Sequence, residues 1–296
     1  RGGLILSSHH SAFGGFSGMS VSEDGSRFLA VSDRGAWISG RFEHEAGKLS
    51  SVGDVLIGAL LGKDGAPISG VWQNDAEAIV ALEPGVSAQG DGLNRRYLIG
   101  YEGYGKRLEE VSFRDGRLST PRRYWDMPKQ LTGLDDNKGI EGVAILRGGK
   151  YSGAMVTFAE RKLDAHGDHT GALVAGDQSH PLFLKRYDAY DVTDLESLSD
   201  GSLLVLERSF IRKSLKLGIR LRLIKASEIK PGARLDGDVL LDADGRYAID
   251  NFEAMAVSRN KAGETLITLM SDDNFNFFQS TMLVQFALSP GKAITH

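Results

Sequence analysis

Five copies of one short pattern divide this chain, and few architectures accommodate them. An apolar or small residue, an anchor, a small residue and a branched aliphatic or Met recur in order. They stand at Phe16-Ser17-Gly18-Met19, Ala76-Glu77-Ala78-Ile79, Ile140-Glu141-Gly142-Val143, Leu195-Glu196-Ser197-Leu198 and Phe252-Glu253-Ala254-Met255. The anchors are 60, 64, 55 and 57 residues apart. After each comes a polar, usually Gly-containing turn and a second apolar run: RFLAVSD (27–33), RYLIGYE (96–102), GAMVTFAE (153–160), SLLVLE (202–207) and TLITLMSD (265–272). Every run ends on a carboxylate: Asp33, Glu102, Glu160, Glu207 or Asp272. Repeats of this period point to a propeller or array rather than to independent domains.

Alternation and turn chemistry give about four strands per unit. Asp24-Gly25 joins the first two, in keeping with the positive φ that a tight hairpin demands. The last unit supplies only three strands, NFEAMAVS, TLITLMSD and the stretch 281–289. GLILSS (3–8) precedes the first anchor and has no blade of its own. Pairing the two termini in one blade would remove two open sheet edges. The expected fold is therefore all-β: a single closed β-propeller of five four-stranded blades over residues 1–296. The alternative is six blades, with a degenerate one in 60–75.

Charge excludes several function classes. Lys and Arg number 35 against 39 Asp and Glu, for a net of −4, and no basic block stands out. A nucleic-acid groove has no support, nor does a membrane span. With no cysteine, thiol catalysis, disulfides and thiolate metal sites all fall away. The chain begins at Arg1, and a removed export signal is expected, placing the protein in the periplasm or outside the cell. A monomer is expected.

In a propeller the first strand of each blade lines the channel and the second runs back beside it. Anchor and terminal carboxylate should then meet at one mouth, as an inner ring of Ser17, Glu77, Glu141, Glu196 and Glu253 inside an outer ring of Asp33, Glu102, Glu160, Glu207 and Asp272. So many carboxylates raise each other's pKa unless compensated. Arg34, Arg161 and Arg208 directly follow outer-ring carboxylates and could grip a substrate anion. Lys106, Arg107 and Lys138 lie in neighbouring loops. A hard cation such as Ca²⁺ is the other compensator, held by Asp33, Glu102, Glu160, Glu207, Asp272, Asp273 and Asn274. Asp135-Asp136-Asn137 repeats the last triplet. Catalysis would fall to Glu77, Glu141, Glu196 and Glu253. The inner ring has an equal alternative: a Glu in each blade can simply brace its neighbour by accepting backbone N–H groups.

Other candidates are weaker. His166 and His169 flank Asp168 in a polar stretch, and a loop between strands is the simpler reading. His9-His10-Ser11 lacks an orienting acid, and Gly15-Phe16-Ser17-Gly18 opens a strand rather than a nucleophile elbow. Trp37, Trp72, Trp125, Tyr101 and Tyr104 are sugar platforms only if they reach the mouth.

FGGFSGMSVSEDGSRFLAVSDRG (13–35), NKGIEGVAI (137–145), DGSLLVLERSF (200–210), NFEAMAV (251–257) and SDDNF (271–275) resemble the bacterial family named for the esterase-like activity of phytase. That resemblance implies a β-propeller, commonly exported, and hydrolysis of ester or phosphoester bonds. Calcium-dependent propeller phytases cluster acidic residues around several Ca²⁺ ions, and no such cluster aligns here beyond the rings counted above. Two functions follow: a metal-assisted ester or phosphoester hydrolase, or a non-catalytic propeller that binds a small polar ligand or a protein partner.

Overall fold

The computed structural model describes residues 2–68, 74–83, 92–102, 106–134, 139–211, 216–247, 249–276 and 279–288. The N-terminal strand β1 (Gly2–Leu6) belongs to the last blade. Blade 1 is β2 (Phe16–Val21), β3 (Arg27–Ser32), β4 (Ala36–Glu45) and β5 (Lys48–Ala59). Blade 2 is β6 (Ala76–Ala81), β7 (Arg95–Tyr101), β8 (Arg107–Arg114), with β9 (Arg117–Leu118) and β10 (Arg123–Trp125) both on β8. Blade 3 is β11 (Ile140–Ile145), β12 (Met155–Leu163), β13 (His169–Ala175) and β14 (Gln178–Leu184). Blade 4 is β15 (Tyr190–Ser197), β16 (Leu203–Ile211), β17 (Lys216–Ile224) and β19 (Asp238–Asp244), and its β18 (Arg234–Leu235) crosses to pair in parallel with β14. Blade 5 is β20 (Phe252–Arg259), β21 (Thr265–Ser271), β22 (Thr281–Leu288) and, antiparallel to β22, β1.

Five sheets thus stand around one axis. The innermost strands close a ring, with β2 against β6, β6 against β11, β11 against β15, β15 against β20 and β20 against β2. Stretch 61–68 forms a loop with a single bridge from Leu61 to Pro67, not a sixth blade. Blade 1 also touches the seam blade directly, where His44 Nε2 lies 2.8 Å from Gln285 Oε1 of β22. Among the described residues no helix is long and apolar enough to cross a membrane.

The packing accounts for the second-strand runs. There is one apolar core per blade interface, and each second strand feeds two of them. Leu29 and Val31 point into the core shared with blade 2, whereas Phe28 and Ala30 point into the core shared with blade 5. A strand buried on both faces reads as an unbroken apolar run. Trp37 belongs to the first of these cores, edge-on to Phe113 with ring centroids 5.6 Å apart. Tyr101 is buried in the same core, and the indole N–H of Trp125 donates to Glu110. Trp37 and Tyr101 are therefore core rings rather than sugar platforms, Trp125 is half-buried on β10, and Trp72 and Tyr104 lie outside the described residues.

Candidate functional site: an acidic channel mouth

Each blade has a β-bulge near the start of its inner strand, and the bulge creates the site. An extra residue in one strand re-aims a side chain where pairing would otherwise bury it. The skipped residues are Ser17, Glu77, Glu141, Thr193 and Glu253, at the register shifts opposite Ser32, Tyr101, Ala159, Glu207 and Ser271. The next residue of each second strand is Asp33, Glu102, Glu160, Arg208 or Asp272. Two positions before each anchor stands Gly15, Asp75, Gly139, Asp191 or Asn251. The carbonyls of Gly15, Asp75 and Asn251 accept the N–H of Asp33, Glu102 and Asp272 at 2.9 Å. Inner and outer rings therefore meet at one end of the channel in four blades.

Blade 4 departs from the expected rings twice. Its anchor slot holds Thr193, whose hydroxyl donates to the carbonyls of Leu206 and Phe252. Glu196 lies three residues further along β15, towards the opposite end of the channel, where its carboxylate accepts the N–H of Ser197 at 3.1 Å. Its pKa is pushed up to about 6 by burial and held back chiefly by Arg147. The outer slot holds Arg208. Glu207, one residue earlier on a two-faced strand, points into the protein and forms a fully buried fork with Arg222, at 2.7 and 2.5 Å. Beside the anchor, Asp194 does brace: it accepts the N–H of Leu195 and, across the interface, of Met255, both at 2.7 Å.

The remaining carboxylates crowd together. Asp75, Glu77 and Glu102 bring one oxygen each within 4.8 Å of one another, all three half-buried. Burial, then Asp75, pushes Asp33 up to about 7 and Glu102 up to about 8. Burial, then Glu253, pushes Asp272 up to about 8. Glu77 and Glu141 are held well above the carboxylate range by burial, Glu77 next by Glu141 and Glu141 next by Glu160. Glu253 is raised by burial and moderated by Arg208, whose Nη2 lies 3.2 Å from it, and by Asn251, which donates to it at 2.9 Å. Arg208 also donates to Asn251. Two glycines permit this crowding. A side chain at Gly139 would overlap the Glu102 Cβ, and one at Gly15, where φ is +65°, would overlap the Asp33 carboxylate.

Several expected residues are engaged otherwise. Arg161 is tied to Asp191 at 2.8 Å and to Glu160 at 3.3 Å. Arg34 lies over the Phe275 ring, 3.9 Å from its centroid. Asp273 accepts the N–H groups of Gly15 and Phe275 and the hydroxyl of Thr281, tying blade 5 to blade 1. Asn274 is exposed, its backbone N–H on Asp272 at 2.7 Å. Arg107 pairs with Glu109 and stacks on Tyr101. His169 is buried, bonded to the Tyr190 carbonyl at 3.2 Å and depressed to about 4 by burial, while His166 is exposed. Asp168 is engaged by Arg234 and by the Arg186 N–H instead of by a metal-binding histidine pair. His9 and His10 are exposed beside the seam. Asp135-Asp136-Asn137 and Lys138 lie outside the described residues.

Asp75 belongs to neither expected ring, although it sits two residues before an anchor as Asn251 does. Arg208 takes the slot expected for a carboxylate. A signal was present: Glu196 to Glu207 is 11 residues, against at least 16 from anchor to carboxylate in every other blade.

A family sequence model, Phytase-like (esterase-like activity of phytase), matches residues 11–275. The chain belongs to this family. No curated protein matches it in sequence. Among solved structures it is similar to the endo-arabinase from Bacteroides thetaiotaomicron VPI-5482, with 12% identity, 95% of this chain and 97% of that chain covered and a TM-score of 0.53. The Dos1 propeller is also matched, at 6% identity over 93% of this chain and 68% of that one, with a TM-score of 0.39. At such identity the arabinase likeness speaks for fold alone.

Proposed function

We propose that this phytase-like propeller is an exported, metal-assisted hydrolase of esters or phosphoesters, working at the acidic mouth. The observation that carries this reading is the Asp75-Glu77-Glu102 group, three carboxylates within 4.8 Å among neighbours of the same sign. The donors are hard oxygens on three separate backbone positions, which suits Ca²⁺ better than a softer ion. Extracellular calcium modules bind weakly enough to need the concentrations found outside cells, in keeping with export. When bound, the cation would supply Lewis-acid and electrostatic stabilisation to the substrate's oxygens.

The chain's own groups have separable tasks. Asp75, Glu77 and Glu102 hold the cation. Arg208, reaching in from blade 4, neutralises the substrate anion from the opposite side. Glu253, kept closer to ionisation by Arg208 and Asn251, accepts the proton of the attacking water. Glu141, well above the usual range, retains its proton and gives it to the leaving oxygen. Divergent pKa values at one site are what acid and base roles require.

The test is hydrolysis of p-nitrophenyl phosphate and p-nitrophenyl acetate in Ca²⁺ and in EDTA, with Ca²⁺ binding measured by calorimetry. Hydrolysis that needs Ca²⁺ and is lost in Glu77→Gln and Glu102→Gln, with folding intact, supports the proposal. Ca²⁺ binding without turnover of either ester would replace it with a binding propeller. Absence of Ca²⁺ binding would overturn the metal-assisted reading.

A further inference from the structure

The opposite end of the channel has different chemistry. Where the inner strands finish, near Val21, Ala81, Ser197 and Val257, they border a cavity of about 430 Å³. That volume lies within the range of small-molecule sites. Arg95 and Arg147 line it, together with Glu196, Ser199, Ser258 and Thr265.

The two arginines are fixed in place by neutral partners. Arg95 donates to the Val21 carbonyl at 2.5 Å and to the Tyr97 hydroxyl at 3.1 Å. Arg147, just past β11, reaches across to the carbonyls of Ala81 and Leu82 in blade 2. Among the described residues neither has a carboxylate within ion-pair distance, although most other arginines of the chain do. Burial depresses Arg147 first; Glu196 opposes this, and Arg95 is close enough to depress it further. Glu196, the half-buried carboxylate beside them, is bound to backbone N–H groups of Ser197 and Val257. The floor of the cavity thus holds two guanidiniums against one carboxylate. The other charged lining groups, Glu23, Asp200 and Arg259, are exposed at the rim, where water screens them.

A guanidinium carries five donors in a rigid plane and no acceptor. Half-buried and sharing the single carboxylate of Glu196, two of them are costly to hold together, and a ligand oxyanion relieves both the desolvation and the repulsion. We propose that this cavity is a second binding site, for a small hydroxylated organic anion whose carboxylate or phosphate group sits between Arg95 and Arg147. The hydroxyls of Ser199, Ser258 and Thr265 face the remainder of such a ligand. The site shares no residue with the acidic mouth, so it stands or falls independently of hydrolysis.

Calorimetric titration in EDTA, with no cation to recruit anions at the acidic mouth, tests the assignment. The probes are citrate and inorganic phosphate, with glucose as the uncharged control. At least one anion should bind the native protein with a Kd below a few millimolar, and glucose should not. Arg95→Gln and Arg147→Gln should each weaken that binding at least tenfold, while Glu253→Gln at the other mouth should leave it unchanged. Should Arg147→Gln fail to fold, Arg147→Lys, which keeps the charge but loses the fork, takes its place and should weaken binding as well. Binding of neither anion overturns the proposal. So does full retention in the arginine variants, or loss in Glu253→Gln.

Discussion

Replacing Asp33 by Asn isolates one raised carboxyl in the acidic mouth. Folding moves Asp33 from 3.8 up to about 7, chiefly by burial and then by Asp75. Between those values the folded protein binds a proton that the unfolded chain has released, so stability is fullest below pH 3.8 and declines as pH rises through about 7. Asn resembles the protonated acid and does not titrate. At 1.36 kcal/mol per pH unit, the stretch from pH 5 to about 7 amounts to roughly 3 kcal/mol of stability that the native protein loses and Asp33→Asn keeps. For a chain of this size that is about 6 °C in Tm, at the lower end of the usual conversion. Differential scanning calorimetry in EDTA at pH 5 and pH 8 reads it directly as the difference between the two proteins' Tm changes. Taking that difference removes the opposing contribution of His169, whose depressed value of about 4 makes stability fall below pH 6.5 in both proteins alike. Saturating Ca²⁺ should narrow the advantage of Asp33→Asn at pH 8, because a cation among the carboxylates favours their ionised forms. Parallel Tm profiles in EDTA would refute the reasoning, since Asp33 would then be ionised and compensated throughout.

Three further perturbations separate site from scaffold. Glu207→Gln strands the buried Arg222 guanidinium, so stability should fall by about 3–5 kcal/mol while Ca²⁺ titrations stay as in the native protein; an intact Tm would contradict the buried fork. Arg208→Gln should lower kcat for phosphoester hydrolysis on the order of a hundredfold without weakening Ca²⁺ binding, and equal losses of both would place Arg208 in the metal site's support instead. Deleting residues 1–6 removes β1 and exposes the edge of β22, and Tm should drop by several degrees; an unchanged melting curve would show that the seam adds nothing.

The architecture was legible because the second strands carry it. RFLAVSD, RYLIGYE and TLITLMSD are apolar on both faces, as only strands between two cores are, and their period counts the blades. GLILSS lacked a partner and β22 lacked an edge neighbour, so the seam followed. The site was less legible because a bulge, not the strand, defines it. The bulge adds one residue and leaves no mark on alternation that can be told from a phase error. In blade 4 the triplet Leu195-Glu196-Ser197 imitates the motif three residues late, and a three-residue slip on a strand changes both the height and the face of a side chain. Val192-Thr193-Asp194-Leu195 has the right apolar positions, but its anchor is not acidic and its next residue is not small.

That irregular blade also gives the mouth a direction. Five identical blades would set a ring of ten carboxylates around a symmetric opening, able to hold cations and to repel every anion. With Thr193 and Arg208 in two of the slots, blade 4 supplies the cationic side. The tightest carboxylate group, Asp75-Glu77-Glu102, belongs to blade 2, two blades away around the ring. On the proposed function, an oxyanion would approach between a cation held at blade 2 and the Arg208 guanidinium at blade 4, over Glu141 of blade 3. Glu253 flanks Arg208 from blade 5 at 3.2 Å, so the arginine is oriented before any ligand arrives. An arginine orientated in advance loses less freedom on gripping an anion than a mobile one. On that proposal, the departure from five-fold repetition is what gives a carboxylate ring places for both charges.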